Sequence, residues 1–199
     1  MPASRRWDNR GVITSHTYDL EAGRRREAAI YLHIGRMTVK AAAIDEDTTY
    51  ALARVLAMPD ADLAARTFER EGFGTKKRFL ERALPDSWAS KRQLLAAMQR
   101  VEEYRNKLAH STVHTTYSLL QPAESTRLYS VRGGWTEPSP ADFAPWEARA
   151  DLVRAALWTM AHADDQDPYE LDARTLAVYH YGALPAELEP ILDELFPAF

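Results

Sequence analysis

The run Arg105-Asn106-Lys107-Leu108-Ala109-His110 holds residue types suited to acid, base or phosphate chemistry. An arginine offers a planar, permanently charged donor fork that fits phosphate oxygens, and a histidine exchanges its proton near neutral pH. On a helix Asn106 and His110 lie four residues apart on one face, and the long side chain of Arg105 can bend towards the same anion. A histidine in the last helical turn also meets the negative end of the helix dipole, which favours the imidazolium. Arg105, Asn106 and His110 are therefore the candidate catalytic residues.

A long helix with Ser87 as its cap, ending at about Thr112, is predicted to carry this run. Apolar residues recur along it at spacings of three and four, which is typical of a stripe packed against neighbouring helices. The polar run therefore lies at the C-terminal end of a core helix. The stripe consists of Leu94, Ala97, Met98, Val101, Tyr104 and Leu108.

Helical patterns also cover most of the remaining chain. The first helix carries Ile30, Ile34, Met37 and Ala41 at helical spacing, and the caps Asp45, Asp47 and Thr48 separate it from the second. Asp60 is predicted to start the third helix and Thr75 to cap the fourth, which ends at Pro85. The predicted helices span residues 21–44, 50–58, 60–71, 76–84, 87–112, 146–163, 168–181 and 186–196.

Three stretches depart from the helical pattern. Residues 1–19 show no sustained period and read as an irregular N-terminal arm, with a short strand near residues 12–13. Residues 117–120 and 127–131 are β-prone runs that predict a small hairpin, and residues 135–145 form a proline-rich connector. The fold class is mainly α: an up-down helical bundle over residues 20–163 with a β-hairpin insertion, followed by an acidic helical extension over residues 164–199.

The composition is that of an ordinary soluble globular protein, with 46% apolar and 27% charged residues among 199. The absence of cysteine excludes disulfides, thiolate metal sites and a cysteine nucleophile, and fits a reducing compartment. No stretch approaches the roughly 20 apolar residues that span a bilayer, and the N-terminus lacks the apolar segment of a signal peptide. We expect a cytoplasmic protein without membrane contact.

Charge is unevenly distributed along the chain, although the net charge is only -4. Residues 66–110 contain 11 basic and 6 acidic residues, whereas residues 137–199 contain 3 basic and 13 acidic ones. The basic segment predicts either a phosphate-facing surface or solvated outer faces of helices, and the sequence leaves both open. On the first reading, the candidate substrate-binding residues are Lys76, Lys77, Arg78 and Lys107.

The motif helix resembles that of the HEPN superfamily (higher eukaryotes and prokaryotes nucleotide-binding). The pattern is an arginine, then a polar residue, then a histidine five positions after the arginine, on the third helix of an α-bundle. The resemblance covers roughly residues 20–163 and rests on Arg105, Asn106 and His110. The upstream sequence FGTKKRFLERAL is similar to the second-helix region of bacterial proteins of abortive infection and phage defence. A toxin subgroup has a tyrosine two residues after the histidine, where this chain has Thr112, so regulation through that tyrosine is not expected.

The resemblance implies a homodimer whose motif helices face one another and share two arginines and two histidines. It implies a metal-independent endoribonuclease without a cofactor, which cuts RNA to leave 2′,3′-cyclic phosphate ends. It also implies a role in a toxin or phage-defence response, with room for a neutralising protein partner. The alternative is a noncatalytic HEPN-like module for dimerisation or for binding a nucleotide or protein.

Other residues with chemical potential have simpler interpretations. His33 is expected to be structural, because a lone helical histidine usually packs. His110 and His114 are four residues apart, but the helix is expected to end between them and no third ligand follows, so no metal site is predicted. Residues 179–182 are expected to pack the C-terminal extension. The acidic extension raises the hypothesis that it covers the cleft within its own chain.

Overall fold

A computed structural model describes residues 9–116, 125–130, 134–136, 139–163, 167–179, 181 and 183–198. These residues form a mainly helical fold with a small antiparallel sheet, which confirms the predicted class at that level. The helices are α1 Asn9–Val55, α2 Ala61–Phe68, α3 Phe73–Ala83, α4 Lys91–Ala109, α5 Pro140–His162, α6 Ala173–Val178 and α7 Glu189–Leu195, with a 3₁₀ turn at Ala186–Leu188. The strands are β1 Ser111–Thr116, β2 Ser125–Ser130 and β3 Gly134–Thr136.

The first helix is a single element of 47 residues. The predictions of an irregular arm or strand before residue 20, and of a break near residue 45, are wrong for the part of α1 that the structure describes. The residues expected to be caps form ion pairs instead: Asp45 pairs with Lys76, and Asp47 pairs with Arg154. Thr48 donates its hydroxyl to the Ile44 carbonyl within the helix. These side chains therefore bond within α1 or to α3 and α5, and they cap no helix.

Helices α2 to α4 begin close to the predicted positions but not always at the predicted caps. Asp60 caps α2 by accepting the N–H of Leu63, as expected. Helix α3 starts at Phe73 after Gly72, so Thr75 lies inside it. Helix α4 starts after Ser90 rather than Ser87, and the Ser90 hydroxyl instead accepts the N–H of Ala173 from the C-terminal segment. The Ser90 side chain thus makes a long-range hydrogen bond, which the local sequence pattern could not predict.

The insertion after α4 is a three-stranded antiparallel sheet in the order β1-β2-β3. β1 starts at Ser111 and pairs from Ser111↔Ser130 to Thr116↔Ser125, so the predicted helical extension to Thr112 is wrong. Of the two predicted strands, residues 117–120 and 131 lie outside the described part of the chain, and residues 127–130 lie in β2. β3 occupies the start of the predicted connector.

Helix α5 begins six residues earlier than predicted. Ser139 caps it by accepting the N–H of Ala141, and Pro140 occupies the first turn, where its missing N–H costs no helical hydrogen bond. The residues from 140 to 145, predicted as a connector, are therefore helical. This earlier start brings Phe143 into the buried core.

The core lies between α1, α4 and α5, and the C-terminal helices complete it. The apolar stripe predicted for α4 is buried except for Tyr104, which is partly buried. Of the stripe predicted for α1, Ile30 and Met37 are buried, and Ile34 and Ala41 are partly buried. Leu176, Leu192 and Phe196 of the C-terminal segment belong to the same buried cluster. Fully buried α4 and α5 side chains include Leu94, Met98, Leu152, Leu157 and Met160. The extension is thus packed into the core rather than attached to its surface.

Candidate functional site

Arg105 lies on α4, one turn before the helix ends. Its side chain is partly buried beside Ala41 and Ile44 of α1 and Phe73 of α3. Its Nε is buried without a hydrogen-bond partner, and within the described ranges no carboxylate forms an ion pair with its guanidinium. A half-buried cation without an ion-pair partner is unfavourable on its own, and an anion such as a phosphate bound at the guanidinium would compensate its charge.

His110 forms the C-cap of α4 and is exposed to solvent. Its backbone N–H donates to the Asn106 carbonyl over 3.1 Å, and the chain turns into β1 at the next residue. Asn106 is partly buried and Lys107 is exposed. Arg105, Asn106 and His110 therefore all lie at the C-terminal end of α4, with the imidazole at the negative pole of the helix.

The three motif side chains are not connected to one another by hydrogen bonds in the described part of the structure. Nothing there holds the His110 ring in one orientation, and Arg105 approaches the site from the α1 side. The arrangement can bind an anion at Arg105 and offer an exposed acid or base at His110. It does not place a second acid or base beside the same anion within one chain.

The basic residues predicted to bind substrate divide into two kinds. Lys76 is buried, and its Nζ donates to Asp45 Oδ2 over 2.8 Å, so its charge is compensated inside the protein. Lys77 is partly buried and donates to Gln99 Oε1. Arg78 is exposed and donates to Thr75 Oγ1 over 3.2 Å. Of the four predicted residues, Arg78 and Lys107 are the ones presented to solvent, so Lys76 does not form part of an open phosphate-binding surface.

A buried network next to the motif joins the three core helices. His33 on α1 is 2% exposed; its Nδ1 lies 2.9 Å from Glu147 Oε1 on α5, and its Nε2 lies 2.9 Å from the Tyr104 hydroxyl on α4. A carboxylate can only accept, so in the neutral imidazole Nδ1–H donates to Glu147 and Nε2 accepts from Tyr104. The prediction of a structural His33 is confirmed.

Stacked rings extend this network towards the motif. The His33 ring stacks on Phe143 with centroids 4.1 Å apart, and Tyr104 stacks on Trp146 at 4.0 Å. Burial, followed by the negative charges of Asp142 and Glu147, raises the pKa of Tyr104 to about 12. Since Tyr104 directly precedes Arg105, the network sets the rotation of α4 that determines where Arg105 lies. The sequence analysis missed Phe143 because it lies in the predicted proline-rich connector, and it placed Trp146 and Glu147 on a helix without indicating their contacts with Tyr104 and His33.

A cavity of about 330 Å³ lies beside α5 and is lined by Asp151, Arg154, Ala155, Trp158 and Tyr181. Its charged walls are already compensated within the chain, since Asp151 pairs with Lys40 and Arg154 pairs with Asp47. Burial raises the pKa of Asp47, and the neighbouring Arg154 opposes that shift. The cavity therefore offers less unsatisfied charge than the surroundings of Arg105.

No protein-family model matches the chain, and neither a curated protein nor a solved structure matches it. In the described part of the chain, no group of three or more His, Asp or Glu residues could hold a metal ion, and no helix is long and apolar enough to cross a membrane.

Proposed function

We propose that this chain is a HEPN-like, metal-independent endoribonuclease that acts as a homodimer in a toxin or phage-defence response. The observation that carries the proposal is the half-buried guanidinium of Arg105, which has no ion-pair partner among the described residues and lies one turn from the exposed imidazole of His110. The HEPN-like arrangement of the bundle and the pairing of motif helices across a dimer are part of the proposal.

The proposed reaction uses a base, an acid and a cation. One His110 removes the proton from a ribose 2′-hydroxyl, whose oxygen then attacks the adjacent phosphorus. The bond from phosphorus to the 5′-oxygen breaks, and the His110 of the second chain protonates the leaving oxygen. Arg105 binds the phosphate oxygens as negative charge builds on them, and Asn106 orients His110 or the phosphate. The products carry a 2′,3′-cyclic phosphate and a 5′-hydroxyl.

The dimer is required by the proposed chemistry because one chain supplies one motif histidine. The exposed position of His110 leaves its ring free to meet a second chain or an RNA. Around the motif, Lys107 and Arg78 are the exposed cations proposed to contact the RNA backbone. Lys76 and Lys77 are excluded from this role because their ammonium groups are held by Asp45 and Gln99.

The test is cleavage of end-labelled RNA in EDTA by wild type, Arg105→Ala and His110→Ala proteins. Loss of the phosphate-binding cation or of the acid–base group should each lower the rate by about 10²-fold or more. Arg92→Ala is the matched control, because Arg92 is an exposed arginine near the other end of α4, and its rate should stay within about twofold of wild type. Intact RNA with all four proteins, or equal cleavage by wild type and Arg105→Ala, would refute the proposal.

A noncatalytic binding module is the second candidate. It is favoured by the lack of any hydrogen bond that orients His110 within the described part of the chain, whereas general bases are commonly held by a third group. A module of this kind would bind RNA or a nucleotide through Arg105 without cutting it. Weaker binding by Arg105→Ala, combined with uncut RNA, would identify this function.

A further inference from the structure

Helix α1 carries large apolar side chains that the described residues of its own chain leave exposed. Tyr31, Leu32 and Val39 are 53%, 57% and 70% exposed, which is unusual for large apolar side chains of one helix. The small residues Ala28, Gly35 and Ala42 are exposed on the same face, two helical turns apart. The opposite face of α1 carries Ile30, Met37 and Ile44, which are buried in the core. We call this exposed strip, from Arg24 to Glu46, the α1 face.

We propose that the α1 face binds the same face of a second copy of this chain, with the two helices antiparallel and a two-fold axis at Gly35. In that register residue i of one helix meets residue 70 − i of the other, so one patch serves both chains, as an isologous interface requires. The pairs that result are Arg24 with Glu46, Ala28 with Ala42, Tyr31 with Val39, Leu32 with Thr38, and Gly35 with Gly35.

Charge at the two ends of the α1 face favours a second copy and fixes its direction. Arg24 and Glu46 are both exposed, and the antiparallel register brings each of them to its opposite charge on the partner. A parallel register would instead bring Arg24 to Arg24 and Glu46 to Glu46. Next to Arg24, Arg25 is paired with Glu21 on its own helix, so Arg24 is the cation assigned to the partner.

Gly35 supplies an independent argument for a close partner. Glycine in the middle of a helix lowers helix stability relative to alanine. A Cβ at position 35 would meet no atom within 4 Å, so packing inside the chain does not require glycine there. At the proposed axis its small size lets the two helix backbones approach each other, with Tyr31 and Val39 packing on either side.

The α1 face is separate from the motif, and this proposal does not rest on the proposed nuclease. Arg105 packs beside Ala41 and Ile44, which belong to the side of α1 that faces the core. Pairing through the α1 face therefore uses a different surface from one that brings α4 helices together. From Arg24 to Glu46 the contact would extend about 33 Å along the helix. Because each chain buries only one helix face, we expect a dissociation constant on the order of 10 µM.

The register can be tested by cysteine crosslinking, since the natural chain contains no cysteine. Gly35→Cys should form a disulfide-linked dimer, because two residues on the axis come close together. Ala42→Cys is the matched control on the same face; two copies of it would lie about 21 Å apart and should not link. A mixture of Ala28→Cys and Ala42→Cys should link to each other. The register would be overturned if Ala42→Cys, without Ala28→Cys present, formed as much disulfide-linked dimer as Gly35→Cys.

Charge reversal tests the interface in solution. Arg24→Glu and Glu46→Arg should each weaken dimerisation by roughly two- to fivefold, since each places like charges together at both ends. The double variant should return to the wild-type dissociation constant. Analytical ultracentrifugation measures all four proteins. A wild-type chain that stays monomeric at concentrations from well below to well above about 10 µM would overturn the proposal. A double variant that dimerises no more tightly than the single variants would also overturn it.

Discussion

Tyr104 shows how a single side chain prepares the motif beside it. Its hydroxyl contacts the buried His33, its ring stacks on Trp146, and the next residue along α4 is Arg105. The stripe spacing predicted Tyr104 as a core residue, but its hydroxyl and its aromatic partner come from α1 and α5. The orientation of Arg105 therefore depends on contacts more than 30 residues away in sequence.

The raised pKa of Tyr104 predicts a loss of stability at alkaline pH. In the unfolded chain the phenol ionises near its ordinary pKa of 10.0, whereas in the folded chain it stays protonated until about 12. Its contribution is present below pH 10 and is lost as the pH rises through 12, because the unfolded state releases its proton first. Urea unfolding from pH 8 to 11 should show a shallower decline for Tyr104→Phe than for wild type. Parallel declines would contradict this.

At the scale of the element, one ion pair ties α3 to α1. Lys76 is buried on α3 and reaches Asp45 in the middle of α1, whereas Arg78, two residues later, is exposed. The pattern KKR in the sequence made these cations look equivalent. Their environments differ because the helical period turns Lys76 towards α1 and leaves Arg78 in solvent.

Alanine substitutions distinguish the structural role of Lys76 from the surface role of Arg78. Lys76→Ala should lower the free energy of unfolding by about 1–3 kcal/mol, because it removes the partner of Asp45 from a mostly buried position. Arg78→Ala should change that free energy by less than about 0.5 kcal/mol, because its side chain is exposed. Under the proposed function Arg78→Ala should also weaken RNA binding. Equal stability of the two variants by urea titration would contradict the assignment.

At the scale of the whole molecule, the acidic C-terminal extension is a structural part of the fold. Trp88 donates its indole N–H to the Leu171 carbonyl, and Arg149 on α5 pairs with Glu194 on α7. Phe196 is 0% exposed and lies in the same cluster as the buried residues of α4 and α5. These contacts tie the segment to the bundle through apolar burial and ion pairs rather than through the motif.

The extension should therefore affect stability first. Phe196→Ala should cost about 3–5 kcal/mol of unfolding free energy, because it leaves a cavity in the core. The exposed Pro197→Ala is a control expected to cost less than about 0.5 kcal/mol. Thermal and urea unfolding of the two variants measure the difference. A wild-type midpoint for Phe196→Ala would show that the extension is not part of the core.

The sequence by itself determined the helical character, the stripe of α4 and the position of Arg105, Asn106 and His110 at one helix end. These features depend on local periodicity, which the sequence carries directly. The tertiary structure decided the rest: Asp45 and Asp47 became ion-pair partners rather than caps, Lys76 was buried, and residues 140–145 became helix beneath Phe143. Each of these outcomes depends on a partner far away in the chain, and local pattern contains no information about which distant residues will meet.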